Sequence, residues 1–82
     1  MKYRLIIGSE FKDVVQSHLD FKSRDEAIKE LLYKVEEYNK VVKDINETTG
    51  YEYHSLLKKV ELKEGEEVRY ENEIDYFYIK SQ

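Results

Sequence analysis

The chain has 82 residues, 14 Lys and Arg against 18 Asp and Glu, a net charge of −4 and no Cys. That length is one domain, burying somewhat more than about 60% of the surface of its unfolded chain, and the lack of Cys excludes a disulfide framework and a thiolate metal site. No run approaches the roughly 20 apolar residues of a membrane span, the Met1 end lacks the order of a signal peptide, and no basic face of the duplex-DNA-binding kind stands out, so a cytoplasmic protein without membrane or direct nucleic-acid binding is expected.

In chain order, KYRLIIG and KDVVQSHLDF read as two strands around a turn at Gly8, Ser9 and Glu10. From Ser23 onward Ile28, Leu31, Leu32, Val35, Tyr38, Val42 and Ile45 step by threes and fours, the spacing of a helix with one buried stripe. Ser23 followed by Glu26 forms a capping box, Asp25 and Glu26 suit the positive end of the helix dipole, and Gly50 is the natural stop. The spacing predicts a helix from about Arg24 to Glu47, or about 36 Å.

Beyond the helix, HSLLKKVEL and EVRYENEIDYFYIK read as two further strands around Glu64, Gly65 and Glu66. The expected fold is α+β with ββαββ order: a four-stranded, mostly antiparallel sheet with one long helix on one face, residues 1–82 forming a single domain. Leu5, Ile6 and Ile7 in the first strand, and the continuous apolar run in the last, place those two strands inside the sheet.

Charge selects a register for the second hairpin. One alignment sets Glu61 against Glu67 and Lys59 against Arg69; the other sets Lys63 against Glu67, Glu61 against Arg69 and Lys59 against Glu71. Opposite charges across a strand pair stabilise by about 0.2 to 1 kcal/mol and like charges destabilise, so the second is expected. It turns Leu56, Val60, Leu62, Val68, Tyr70, Ile74, Tyr76 and Tyr78 toward the helix. Tyr51, Tyr53, Leu57, Phe77 and Ile79 then lie on the outer face with Ile6 and Val14, beside Glu73 and Asp75. A contiguous apolar patch of that kind marks an interaction surface, and a symmetric dimer through it is the simplest way to cover it.

The acidic run from Glu61 to Asp75 raises the possibility of nucleic-acid mimicry. In the expected register Glu61, Glu67 and Glu71 are neutralised, leaving Glu64, Glu66, Glu73 and Asp75 to face a partner, and a charge run is usually a solvated face. His18 and Asp20 share one strand face, a pairing too sparse for a metal site. His54, Lys58 and Asn72 form a polar notch on the helix side that could hold a small ligand or a general base. Gly8, Gly50 and Gly65 are spaced as turn and cap residues and build no phosphate-cradling loop.

MKYRLII and DFKSRDEAIKEL resemble the opening strand and Ser-x-x-Glu-Ala-Ile helix entry of HicB-type antitoxins over about the first third of the chain; the Pro-Gly-containing central strand of that family is missing. In being compact, Cys-free and rich in Lys, Glu and Tyr, the chain is similar in character to small proteins of phages and mobile elements, anti-CRISPR proteins among them. The expectation is a small acidic protein-binding module with no cofactor and no enzymatic activity, an inhibitor or adaptor acting by direct binding to another macromolecule. The alternatives are an antitoxin-like partner of a toxin and a protein sequestering a nucleotide or small ligand through the His54, Lys58, Asn72 notch.

Overall fold

Helix α1 (Arg24–Thr49) forms where the apolar spacing places it. The computed structural model describes residues 2–10, 16–50 and 55–81. Ser23, with extended backbone, accepts a hydrogen bond at Oγ from the Glu26 amide at 3.1 Å, satisfying one of the helix's unpaired N–H groups. At the other end Gly50 takes φ 77°, left-handed, and its N–H donates to the Asn46 carbonyl at 3.0 Å. The buried stripe is Ala27, Leu31, Val35 and Val42; Leu32, about 100° further round the helix than Leu31, is exposed.

The sheet has five strands, β1 (Tyr3–Ser9), β2 (Ser17–Phe21), β3 (Lys58–Lys59), β4 (Glu66–Glu71) and β5 (Asp75–Ser81), in the order β2-β1-β5-β4-β3. Every neighbouring pair is antiparallel. The class is α+β, and the order ββαβββ replaces the expected ββαββ. β1 and β5 lie inside the sheet, as their doubly apolar residues imply. α1 leads from the β2 edge to the β3 edge and packs over β1, β2 and β5.

The fifth strand arises because the segment expected as one strand over 67–80 folds back at Asn72. Asn72 Oδ1 accepts from the amides of Ile74 (3.0 Å) and Asp75 (2.7 Å), while its Nδ2 donates to Tyr38 Oη (3.0 Å) and the Ser55 carbonyl (2.8 Å). The Ile74 carbonyl accepts from the Glu10 amide at 2.7 Å and from Ser9 Oγ at 3.1 Å, so β1 holds the turn from its other side. Across this turn Glu71 faces Tyr76, Tyr70 faces Phe77 and Arg69 faces Tyr78. Even-numbered Val68 and Tyr70 of β4 therefore share a face with odd-numbered Phe77 and Ile79 of β5.

That inversion moves the expected outer patch. Phe77 and Ile79 are buried under α1 with Leu5, Ala27, Leu31, Val35, Leu57 and Val68, and Tyr76 and Tyr78 take the opposite face. The β3–β4 register also differs by one residue, with Lys58 facing Glu71 and Lys59 facing Tyr70. Its cause is a tight turn: the Glu66 amide donates to the Lys63 carbonyl at 3.1 Å, and Gly65 at φ 82° supplies the conformation that such a turn requires of its third residue. Arg69 thereby finds its carboxylates in its own strand instead of at Glu61. Leu57, expected outside, points into the core, its backbone bonded by Asn39 of α1, which accepts from the Leu57 N–H at 2.7 Å and donates to its carbonyl at 3.3 Å. Tyr51, Tyr53, His54 and Val14 lie outside the described residues.

Candidate interaction surface

No described element lies over the sheet face opposite α1, yet two of its residues are nearly inaccessible: Arg69 is 5% exposed and Ile6 is 7% exposed. Tyrosines of the same face stand beside both. The Arg69 guanidinium lies 5.0 Å from the ring centre of Tyr78 and 5.5 Å from that of Tyr76, and those rings stack at 6.0 Å with 29° between planes. Ile6 sits in register between His18 of β2 and Tyr78 of β5.

Gly8 fits Tyr76 into this layer. A Cβ added to Gly8 would meet the Tyr76 ring at 2.5 Å, so the ring can lie against the β1 backbone only because that position has no side chain. Tyr76 Oη accepts from Gln16 Nε2 at 3.2 Å, anchoring the outer end of the ring. A glycine inside an otherwise apolar strand is the sequence signal for such a close approach.

Both arginines of the face are paired with carboxylates of the same face. Arg69 donates from one terminal nitrogen to Glu66 Oε2 at 2.7 Å and from Nε to Glu71 Oε1 at 3.2 Å. Burial, which alone lowers its pKa, is outweighed by Glu71 and Glu66, so the guanidinium is held above its ordinary value. Arg4 grips Asp20 through two bonds of 2.7 and 3.2 Å, and that pairing pushes the Asp20 carboxyl below its ordinary pKa. Burial first, and then the nearby Glu66, raises the Tyr78 phenol.

The remaining expected site residues are dispersed. Glu64 is exposed at the β3–β4 tip. Glu66 binds Arg69 and also accepts from the Lys63 amide at 2.8 Å, Glu73 accepts from the Ser55 amide at 2.9 Å, and Asp75 accepts from the Tyr38 hydroxyl. These carboxylates have partners within the chain and form no regular array. Lys58 stands opposite Glu71, whose carboxylate bonds Arg69 on the open face, whereas Asn72 reaches Tyr38 on the helix, so the structure does not bring the two together in a notch.

A second polar cluster borders a cleft of about 270 Å³ lined in part by Ser9, Tyr38, Asp75 and Phe77. Burial, and then the bond to Asp75, pushes the Tyr38 phenol up to about 12, so it stays a hydrogen-bond donor into the alkaline range. Asn72 and Asp75, its partners, hold the β4–β5 turn. Among the described residues no group of three or more His, Cys, Asp or Glu is placed to hold a metal ion, and no described helix is long and apolar enough to cross a membrane.

The chain matches no family model, and neither a curated protein nor a solved structure matches it. The likeness to HicB-type antitoxins rests on the two opening stretches alone.

Proposed function

We propose that this chain is a non-catalytic protein-binding module that meets its partner with the open sheet face, acting as an inhibitor or adaptor of the kind that phages and mobile elements direct at host macromolecules. The observation that carries the reading is the Arg69, Tyr76, Tyr78 layer, over which no described element lies. Tyrosine and arginine are the residues most often found as binding anchors, and rings already fixed by Gly8 and Arg69 lose little freedom on association. The inhibitory role draws on the composition and general character of the chain; the binding role draws on the surface.

Affinity capture with the wild-type chain, followed by calorimetry on the identified partner, tests this. Tyr78→Ala is expected to weaken binding by at least about 2 kcal/mol, the usual measure of an anchor, while Leu62→Ala, at an exposed position, leaves it unchanged. A captured toxin would assign the antitoxin reading. Binding indifferent to Tyr78 and Tyr76 would remove the open face from consideration.

A further inference from the structure

The two edges of the sheet are built differently. β3 is two residues long, and both are lysines, Lys58 and Lys59, an arrangement that discourages another strand from adding there. β2 is five residues long, pairs with β1 in unbroken register from Ser17 to Phe21, and has no Pro, bulge or lysine. Among the described residues no strand pairs with its outer side. Asp20 is the one carboxylate on β2, Arg4 already neutralises it, and the backbone groups of that edge are a template for another strand.

We infer that two copies of this chain pair antiparallel through β2, about a two-fold axis at Leu19, joining their sheets into one. The sequence of β2, SHLDF, is complementary to itself in that register: Leu19 meets Leu19, and His18 of each copy stands opposite Asp20 of the other. The imidazole brings an N–H donor to a carboxylate that Arg4 already keeps charged, and symmetry repeats the contact. On the helix side, Leu19 is 46% exposed and Tyr33 is 59% exposed. Leu19 shares its strand face with Phe21, which lines a cleft of about 500 Å³ together with Tyr33 and the mixed charges of Glu26, Lys29 and Glu30. The two-fold sets the clefts of both copies along one seam, where the apolar groups cover one another. This pairing leaves Tyr76 and Tyr78 outside the contact and makes the open faces continuous, so it does not rest on the proposed partner binding.

Sedimentation at micromolar concentration tests the pairing on the full chain. The wild type is expected to be a dimer, and Leu19→Lys and Leu19→Glu are each expected to be monomers, since like charges would face each other across the axis. Circular dichroism should show unchanged folding in both variants, as position 19 is half exposed. An equimolar mixture of the two variants should dimerise again, a rescue that only pairing of residue 19 with its own counterpart produces. A wild type that stays monomeric overturns the inference and leaves the open-face reading standing. So does a dimer that survives Leu19→Lys, or a mixture that stays monomeric. Dimerisation lost in Tyr78→Ala but kept in Leu19→Lys would also overturn it, and would place the self-contact on the open face.

Discussion

The covered and open faces of this sheet bury side chains by different means. Under α1, Leu5, Val68, Phe77 and Ile79 meet Ala27, Leu31 and Val35, and apolar groups from two layers exclude water together. On the open face, Arg69 and Ile6 are almost as inaccessible although no described element lies over them; Tyr76 and Tyr78 pack against Arg69, and Tyr78 is the register neighbour of Ile6. The contrast teaches that a buried residue does not by itself imply a covering element. A flat aromatic layer can shield its neighbours and still present ring area to a partner.

The largest expected effect separates the faces by stability. Phe77 packs edge-on against Tyr38, with ring centres 5.8 Å apart at 76°, and Phe77→Ala should cost about 3 to 5 kcal/mol through lost transfer energy and the cavity left behind. Tyr78→Ala should cost only about 1 kcal/mol, the scale of its cation–π contact with Arg69. Urea unfolding of both variants checks the ordering, and equal losses would falsify the distinction between a two-layer core and a self-covered face.

A smaller effect probes how the open layer is seated. Gly8→Ala drives a methyl into the Tyr76 ring and should cost about 1 to 3 kcal/mol, the usual range for overpacking. In the Tyr76→Ala background the same substitution should cost little, giving a strongly non-additive double-mutant cycle. Additive losses would mean that Gly8 is needed for something other than the ring.

The finest distinction is alkaline. Tyr38 has a phenol raised from 10.0 to about 12, so folding favours its protonated form. Its contribution is complete below pH 10, the ordinary value, and fades as pH rises toward about 12, where the folded chain also loses the proton. Stability measured across that window should fall less steeply in Tyr38→Phe, and the phenol that titrates late in the ultraviolet spectrum should be lost. Part of the fall should persist, because Tyr78 on the open face is raised as well.

These faces also divide what could be read in advance. The α+β class, the antiparallel sheet with one helix packed on it, and the inner position of β1 and β5 were legible, because apolar periodicity reports local structure directly, whereas the fifth strand was not. On the sheet face opposite α1, Ile6 stands as expected, whereas Leu57, Phe77 and Ile79 do not. ENEID offers neither Gly nor Pro, so the turn at Asn72 left 67–80 reading as one strand, and a missed turn exchanged Phe77 and Ile79 for Tyr76 and Tyr78.

By itself the sequence determined α1, since Ser23 acts on Glu26, Gly50 on Asn46, and Leu31, Val35 and Val42 recur at helical spacing, so that chain connectivity already holds each set of partners close. Only the tertiary structure decided which residues face the open side. The turn that sets the parity of β5 is formed locally by Asn72 with Ile74 and Asp75, but it is also held by groups distant in the chain, Tyr38 from the helix, Ser55 from the segment before β3 and Ser9 from β1, whose hydrogen bonds exist only once the helix and sheet have packed. A strand's side chains alternate strictly, so that one long-range decision carries through every residue from Asp75 to Ser81.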